Sequence, residues 1–365
     1  MADDNPVVDR LKARIAADGP ISVATFMDIA LSDPNGGYYA TRDPFGAAGD
    51  FTTAPEISQM FGELVGLWCA DTWQRMGAPD SFALVEFGPG RGTLMADALR
   101  AMAGVPECLN AATVRLVETS PTLRDTQAAA LRGRAVTWHN AAPASDGMPV
   151  ICIANEFLDA LPVRQFVRFE GHWRERCVTV GPDTSGFTFT LGDGAPDTPE
   201  TRRLLDEALE GDVVEESDAV ISVVDSIAVR IARDGGAALF IDYGHPVCAV
   251  GETLQAVRRH EPVSPLDAPG TADLTAHVDF ARVGAGAEAH GLRVQGPVSQ
   301  GSFLTGLGIH ARAEQLRANA DARQIRDIDA ALARLIGPAE MGTLFKVLAF
   351  CERRIERLAG FDPGP

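Results

Sequence analysis

The stretch FALVEFGPGRGTLMADALR, residues 82–100, decides the fold of this chain. It opens with a short apolar run of strand length, and its last eight residues carry apolar side chains at helical spacing without a breaker. Between these parts lie Gly88, Gly90 and Gly92. Glycines let the backbone turn sharply and let a ligand approach the main chain, while the following helix offers free N–H groups and the positive end of its dipole. The stretch therefore predicts a strand, a ligand-binding turn and a helix.

The spacing of the glycines indicates the kind of ligand. A dinucleotide site reads Gly-x-Gly-x-x-Gly, with an acidic residue about 20 positions later that binds the ribose. Here the third glycine comes one residue early, Glu86 stands two residues before the first, and Glu118, the next acid at a strand end, lies farther along. These departures disfavour an NAD- or FAD-dependent oxidoreductase. An acid-x-Gly-x-Gly-x-Gly turn resembles motif I of the S-adenosylmethionine (SAM) methyltransferases, and a tight turn without a ligand is the alternative.

The overall charge bears on the partners of the protein. The chain has 365 residues, of which 50 are acidic and 32 are basic, so its formal net charge is −18. Phosphate backbones should be repelled, which disfavours nucleic-acid binding, whereas a basic protein or peptide would be attracted. An acidity that serves only solubility is the alternative.

Cysteine usage and hydropathy indicate the compartment. The six cysteines include no C-x-x-C pair and no nearby histidine spacing, which argues against a zinc site and a disulfide framework and fits a reducing environment. No apolar run approaches the length of a membrane span. The N-terminal sequence MADDNPVVDR is acidic and lacks the features of a signal or transit peptide. We therefore expect a cytoplasmic protein without membrane insertion.

Strands and helices alternate after residue 82, which predicts a parallel sheet with crossover helices. Ligands of open parallel sheets bind beyond the carboxyl ends of the strands. Four successive predicted strands end at polar residues, namely Glu86, Glu118, Asn140 and the pair Asn155 and Glu156. The chemistry of the protein is therefore expected at these strand ends.

The other regions have different patterns. Residues 163–191 alternate in polarity and predict an antiparallel insertion, residues 253–270 predict a loop, and residues 272–280 predict the start of a helix. Residues 302–335 are expected to be mostly helical, and residues 342–350 to form the last strand. A polar, glycine-bearing loop at residues 43–56 predicts a lid, with an idle surface loop as the alternative.

Eight ordered blocks resemble one family, the MidA-like class I SAM-dependent methyltransferases, and they span nearly the whole chain. This family includes the mitochondrial arginine methyltransferase that acts as an assembly factor for respiratory complex I. The absence of a transit-peptide pattern favours a bacterial relative. The blocks are GDFTTAPEISQMFGELVG (49–66), VEFGPGRGTLMADALR (85–100), VETSPTLRDTQ (117–127), ANEFLDALPVRQF (154–166), DYGH (242–245), GTADLTAHVDF (270–280), QGSFLTGLGI (300–309) and MGTLFKVL (341–348).

The resemblance implies an α/β fold with a Rossmann-like, seven-stranded methyltransferase sheet. It implies SAM as cofactor and methylation of an accessible protein arginine, with a respiratory-complex subunit as one candidate acceptor. A small-molecule methyltransferase and a SAM-binding assembly chaperone without essential turnover are the alternatives. The expected segments are a helical cap with the lid loop (1–80), the first half of the sheet (81–162), the antiparallel insertion (163–215), the second half of the sheet (216–300), a helical insertion (301–340) and the last strand with the tail (341–365).

The strand ends suggest how SAM would be held. Glu86 would face the ammonium group or order the turn, and the three glycines would admit the methionine part. Glu118 can accept from both ribose hydroxyls, and Asn140 can bond the adenine amino group. Capping or turn formation is the alternative role for each residue. The expected cofactor-binding residues are Asp50, Phe51, Thr52, Thr53, Glu86, Gly88, Gly90, Gly92, Glu118, Asn140 and Asn155.

Three further residues are candidates for catalysis. A guanidinium stays charged at neutral pH, so carboxylates must clamp it and receive a proton as the methyl group is transferred. Glu156 is positioned to be this clamp and base, and Asp159 is either a second acid or a helix cap. His277 could close over the substrate together with Asp273, although a structural role is the alternative. Additional candidate contacts are Asp242 and Tyr243 in a substrate channel and Arg91 at the cofactor carboxylate.

Overall fold

The computed structural model describes residues 5–41, 52–182, 186–196 and 198–362. The chain forms two compact units. The first comprises the described parts of 1–51, 159–222 and 247–279, and the second comprises 52–158, 223–246 and 280–362. The second unit contains the glycine turn and most strands of the central sheet.

The described helices are α1 (Pro6–Asp18), α2 (Val23–Ser32), α3 (Tyr38–Thr41), α4 (Ala54–Ile57), α5 (Gln59–Arg75), α6 (Thr93–Met102), α7 (Pro106–Ala111), α8 (Pro121–Ala130), α9 (Pro199–Arg203), α10 (Asp218–Asp234), α11 (Phe280–Ala289), α12 (Gln300–Gly306), α13 (Ile309–Arg317), α14 (Ala322–Ile336) and α15 (Met341–Leu344). A short 3-10 helix spans Leu204–Asp206. Several helices begin at side-chain caps; Asp321, for example, accepts from two backbone N–H groups and forms a capping box with Gln324.

The described strands are β1 (Ile21–Ser22), β2 (Phe82–Phe87), β3 (Ala112–Val117), β4 (Val136–His139), β5 (Val150–Asn155), β6 (Arg164–Phe169), β7 (His172–Val180), β8 (Phe187–Leu191), β9 (Val213–Glu216), β10 (Gly236–His245), β11 (Gln255–Arg258), β12 (Glu261–Val263), β13 (Asp273–Thr275), β14 (Val278–Asp279), β15 (Arg293–Ser299) and β16 (Phe345–Cys351). Strands β2 and β5 are buried along their whole length, as the continuous apolar runs in the sequence predict for strands with both faces covered.

Seven strands of the second unit form the main path of an eight-stranded sheet, in the order β15-β16-β10-β5-β2-β3-β4. Strands β10, β5, β2, β3 and β4 run parallel, whereas β16 pairs antiparallel with both β10 and β15. The order reverses at β2, because β3 and β4 follow on one side of it and β5 and β10 on the other. Such a reversal leaves a crevice beyond the carboxyl ends of the two central strands, β2 and β5.

Close helix packing covers this sheet next to the glycine turn. Helix α5 packs on α6, and Gly66 lies where a Cβ atom would be 2.4 Å from the carbonyl oxygen of Ala98. The buried Glu63 of α5 accepts from Arg100 at 3.1 Å and from Arg312 at 2.7 Å. These contacts hold α5, α6 and α13 together behind the turn.

The first unit is antiparallel. Its five-stranded sheet has the order β1-β7-β6-β9, with β8 paired to β7, and a three-stranded sheet has the order β12-β11-β13. Helices α1 and α2 contribute Leu11, Phe26 and Met27 to the apolar core of this unit.

The structure corrects several element predictions. Part of the predicted loop at 253–270 forms β11 and β12, and the predicted helix start at 272–280 contains β13, with the helix beginning only at Phe280. The partners of β11 on β13 lie 16 to 20 residues along the chain, so the local pattern does not reveal this pairing. Residues 341–344 form the helix α15, and the last strand begins at Phe345. Contacts place 247–279 in the first unit, although the sequence grouped them with the sheet.

Within the described ranges, no helix is both long and apolar enough to cross a membrane.

Candidate functional site

Strand register aligns the polar strand ends of the second unit. Phe87 on β2 lies opposite Val117 on β3 and Ala154 on β5, and Val117 lies opposite His139 on β4. Gly88, Glu118, Asn140 and Asn155 are therefore the next residues along four neighbouring strands, which are spaced about 4.8 Å apart. The structure thus brings together at one sheet edge the residues that the sequence predicted at four strand ends.

The glycine turn adopts a conformation that requires glycine. The φ angles of Gly88, Gly90 and Gly92 are 60°, 52° and 82°, all in the left-handed region. A Cβ atom on Gly88 would lie 2.7 Å from the Phe157 ring. Gly92 is the N-cap of α6 and provides no side-chain cap for the N–H groups of the first turn, which a polar ligand can therefore use.

Glu86 is a buried carboxylate at the end of β2. Its side chain is 2% exposed, and it lies in register with Leu116 and Ile153 on the neighbouring strands. Its Oε2 atom has no hydrogen-bond partner among the described residues. Burial raises the pKa of Glu86 to about 8. An orphaned buried carboxylate oxygen is costly unless a donor or cation satisfies it, so this position fits the ammonium group of a ligand.

Glu118 is held at the end of β3 by two hydrogen bonds. Its Oε1 atom accepts from the Ser120 amide at 2.8 Å, and its Oε2 atom accepts from Gln127 Nε2 at 3.2 Å. Burial raises the pKa of the Glu118 carboxyl, although hydrogen bonds from Ser120 and Gln127 oppose this effect. Each carboxylate oxygen has a second lone pair, so the carboxylate can also accept from a vicinal diol.

Asn140 is exposed at the end of β4, and Arg124 links it to Glu118. Arg124 Nη2 donates to Asn140 Oδ1 at 2.6 Å, and Arg124 Nε donates to the Glu118 carbonyl at 2.9 Å. Since a guanidinium only donates, the amide oxygen of Asn140 faces Arg124. Its amino group then faces the other way, as a donor suited to a ring nitrogen.

Asn155 and Glu156 close the site at the end of β5. Glu156 has a φ of 48°, which is uncommon for a residue other than glycine. Its Oε1 atom accepts from the Ala54 amide at 2.8 Å and from Asn155 Nδ2 at 3.1 Å. Asn155 is buried, and its Oδ1 atom has no hydrogen-bond partner in the described part of the chain.

Helix α4 is attached to the end of β5 and to the start of α6. Ala54, its first residue, donates to Glu156, and Glu56 accepts from the Thr93 hydroxyl at 2.5 Å. The predicted cofactor neighbours Thr52 and Thr53 are half-buried and lie directly before this helix. The other two, Asp50 and Phe51, and most of the predicted lid lie outside the described residues.

Asp242 has a role that the sequence did not indicate. It is 1% exposed, and its carboxylate accepts from the backbone amides of Phe157 at 3.2 Å, Leu158 at 2.9 Å and Tyr243 at 2.9 Å. These bonds hold the residues that follow Glu156. Asp242 therefore positions the chain at the end of β5, whereas the sequence suggested that it lines a channel.

Asp159 and His277 lie in the first unit. Asp159 and Asp273 are buried, and Asp273 accepts from the Tyr39 hydroxyl at 2.8 Å. The pKa of Tyr39 lies well above its ordinary value because of burial first and then the charges of Asp273 and Asp159. His277 is half-buried, and its backbone amide donates to the Thr253 hydroxyl at 2.9 Å.

Sequence reasoning missed Gln127, Arg124 and Trp138. A signal for Gln127 was available, since it lies four residues from both Leu123 and Leu131 on the apolar face of a predicted helix. A single polar residue on such a face is expected to have buried hydrogen-bond partners.

The second unit fits the groups of SAM. Its edge combines a buried orphaned carboxylate at Glu86, a glycine turn below a helix N-terminus, an ordered carboxylate at Glu118 and an orphaned amide oxygen at Asn155. In chemical type, Glu86 suits an ammonium group, and the glycine turn suits a methionine part that lies along the main chain. Glu118 suits a ribose diol, and Asn155 suits a further hydrogen-bond donor. In the described ranges, no three His, Cys, Asp or Glu side chains are arranged to hold a metal ion.

Comparisons with known proteins agree with this assignment. Residues 64–298 match the family described as "Putative S-adenosyl-L-methionine-dependent methyltransferase". A relative from Drosophila melanogaster, named "Protein arginine methyltransferase NDUFAF7 homolog, mitochondrial", is 38% identical over 93% of this chain and 83% of its own length. A relative from Homo sapiens, named "Protein arginine methyltransferase NDUFAF7, mitochondrial", is 34% identical over 97% of this chain and 85% of its own length.

A solved structure is similar along nearly the whole chain. The crystal structure of a COG1565 superfamily member from Burkholderia thailandensis bound to S-adenosyl-homocysteine superimposes with a TM-score of 0.85 and 32% identity, covering 97% of this chain and 93% of that one. Because the family match covers more than half of the chain and the relatives exceed 30% identity, the chain belongs to this family of S-adenosyl-L-methionine-dependent methyltransferases.

Proposed function

We propose that the protein transfers a methyl group from SAM to a nitrogen of a protein arginine. The geometric observation that carries the proposal is Glu156, a carboxylate held in a left-handed backbone conformation beside the glycine turn. Relatives named protein arginine methyltransferases, which are similar over at least 93% of this chain, support it.

The cofactor would be held along the sheet edge of the second unit. Glu86 would bind the ammonium group, Gly88 and Gly90 would admit the methionine part, Glu118 would bind the ribose hydroxyls, and Asn140 would donate to the adenine ring. When bound, SAM supplies an electrophilic methyl group on a positively charged sulfur. No nucleophilic residue of the protein is then required, and alignment of the acceptor is its main task.

Glu156 would act on the acceptor. A guanidinium is positively charged, so a carboxylate attracts it, fixes its orientation and localises the positive charge on the nitrogens it contacts. Methylation of the guanidinium, with S-adenosylhomocysteine as the leaving group, requires the acceptor nitrogen to lose one proton, which the Glu156 carboxylate would take. Asn155 and Ala54 donate to Glu156 Oε1 and so orient the carboxylate.

The charge of the chain supports a protein acceptor. A net charge of −18 attracts basic polypeptides and accelerates their association at low ionic strength. Among basic acceptors, a subunit of a respiratory complex is the first to test, since the family resemblance includes an assembly factor for such a complex.

The experiment is to incubate purified enzyme and methyl-labelled SAM with extract from a strain that lacks the protein. The expected result is label on arginine in one or a few basic polypeptides, identified by mass spectrometry. Label only in small metabolites, or on another amino acid, would contradict the proposal and favour a different acceptor.

The Glu156→Gln variant tests the role of the carboxylate. It keeps an amide oxygen for the bonds from Ala54 and Asn155 but lacks the charge and the basicity, so transfer should fall by about 100-fold or more with little change in cofactor affinity. Glu170→Gln is the matched control, because Glu170 also has a left-handed φ, of 50°, but is exposed in another unit. If Glu156→Gln restores function fully in the deletion strain, an assembly chaperone without essential turnover is favoured.

A further inference from the structure

Gln127 on α8 is fully buried and uses its whole amide group. Its Nε2 atom donates to the Gly90 carbonyl at 2.8 Å and to Glu118 Oε2 at 3.2 Å. Its Oε1 atom accepts from Trp138 Nε1 at 2.8 Å. One side chain thus joins the glycine turn, the end of β3 and strand β4.

The partners determine the orientation of this amide. The indole of Trp138 can only donate, so it requires the amide oxygen on its side. The two N–H groups then face the Gly90 carbonyl and the Glu118 carboxylate, which can only accept as an ionised group. A flipped amide would place its oxygen against two acceptors and its nitrogen against a donor. The orientation is therefore unique.

The two acceptors of Gln127 belong to different parts of the cofactor site. Gly90 lies in the turn, and Glu118 is the carboxylate assigned to the ribose. With Ser120 holding the other oxygen, Gln127 fixes the plane of the Glu118 carboxylate. A glutamate side chain at a strand end otherwise has several rotamers. Because the bond from Gln127 already selects one of them, Glu118 loses less conformational entropy when it binds the ribose.

We propose that Gln127 is a positioning residue of the cofactor site, which aims the Glu118 carboxylate at the ribose and fixes its place relative to the glycine turn. The inference rests on the proposed role of Glu118 as the ribose ligand. Gln127 itself is buried and acts through Glu118 and Gly90.

The test compares two ligands by calorimetry: S-adenosylhomocysteine and its 2′,3′-dideoxy analogue, which lacks the ribose diol. Gln127→Met keeps the length of the side chain and removes both donors. It should weaken binding of S-adenosylhomocysteine by about tenfold, the effect of losing a hydrogen bond to a charged group, and that of the analogue by much less. A role in packing alone would weaken both ligands equally, and that result would overturn the proposal.

Three further variants complete the test. Leu123→Met is the matched control, since Leu123 is a buried residue one turn earlier on the same helix face, and it should leave both affinities unchanged. Trp138→Phe keeps Gln127 but removes the donor that orients it, so it should give a smaller loss with the same preference between ligands. If Gln127→Met does not fold, as judged by its thermal transition, Trp138→Phe replaces it in the comparison of the two ligands.

Glu118→Gln separates the role of Gln127 from the role of Glu118. If Glu118→Gln loses the preference for the diol and Gln127→Met does not, the inference about Gln127 alone is wrong. If Glu118→Gln keeps the preference, the ribose role of Glu118 fails and the inference fails with it. Arginine labelling by the wild-type enzyme is measured independently of both results.

Discussion

Replacing Gly88 by alanine tests the geometry of the glycine turn directly. Two penalties follow from the structure. The φ of 60° lies in a region that alanine adopts at a cost of about 1–2 kcal/mol. The new Cβ atom would also lie 2.7 Å from Cδ2 of Phe157, so the ring or the turn must move.

The backbone strain and the clash with Phe157 together set the expected loss of unfolding free energy. Overpacking of a closely packed site typically costs about 1–3 kcal/mol. Added to the backbone strain, Gly88→Ala should lower the free energy of unfolding by about 2–5 kcal/mol. Unfolding entropy is roughly 2.1 cal/mol/K per residue, so for 365 residues each kcal/mol corresponds to about 1.3 °C in Tm. The expected decrease in Tm is roughly 3–6 °C.

The assay is thermal unfolding with and without S-adenosylhomocysteine. Gly133→Ala is the matched control, because Gly133 has a φ of 87° but a Cβ atom there would extend into open space, with no other side chain within 4 Å. Gly133→Ala should lower Tm by the part that comes from backbone strain alone, roughly 1–3 °C. Adding Phe157→Ala to Gly88→Ala should recover the part of the loss that comes from the clash. Gly88→Ala should also weaken ligand binding, whereas Gly133→Ala should not.

Equal decreases in Tm for Gly88→Ala and Gly133→Ala, with no recovery when Phe157→Ala is added to Gly88→Ala, would refute the predicted clash. The close approach between the turn and Phe157 would then be absent in solution.

Three other perturbations have defined outcomes. Burial raises the pKa of Glu86 to about 8, so Glu86 should contribute a loss of about 1.4 kcal/mol of stability per pH unit in the ligand-free protein as the pH rises from roughly 4.5 to 8, and Glu86→Gln should remove this contribution in urea unfolding. Binding of S-adenosylhomocysteine near pH 7 should release a proton from wild-type protein but not from Glu86→Gln, as measured by calorimetry in two buffers; equal release would contradict the ammonium assignment. Gly66→Ala should destabilise by about 1–3 kcal/mol through its contact with the Ala98 backbone, whereas Gly284→Ala, which meets only ordinary contacts in α11, should be neutral or stabilising by up to about 1 kcal/mol in the same urea titration. Asp242→Ala leaves three backbone N–H groups without their carboxylate, so it should cost about 3 kcal/mol and reduce methyl transfer, and an unchanged transfer rate would separate Asp242 from the positioning of the β5 end.

Much of the second unit could be predicted from local sequence. Strand β2, the turn and α6 follow from a short apolar run, alternate glycines and helical spacing, all within residues 82–100. The alternation of strands and helices predicted parallel strands, and the end of each strand marked Glu86, Glu118, Asn140 and Asn155. These predictions succeed because each depends on neighbours only a few positions away, where period and turn chemistry are decisive.

Long-range pairing was harder to predict. Strands β11 and β12 lie where the sequence indicated a loop, and β13 lies where it indicated the start of a helix. These short strands are stabilised by cross-strand partners more than by their own propensity. For the same reason residues 247–279 belong to a different unit from the one that their position in the chain suggested.

The sequence by itself determined the type of sheet, the glycine turn and the set of polar residues at the strand ends. Only the tertiary structure decided which atoms those residues contact: Ala54 and Glu156 are 102 positions apart, Leu158 and Asp242 are 84 apart, and Gly90 and Gln127 are 37 apart. A hydrogen bond forms between groups within about 3 Å, whatever their separation along the chain. Chain folding, rather than residue type, therefore decides whether a carboxylate such as Asp242 lines a site or holds the backbone that builds it.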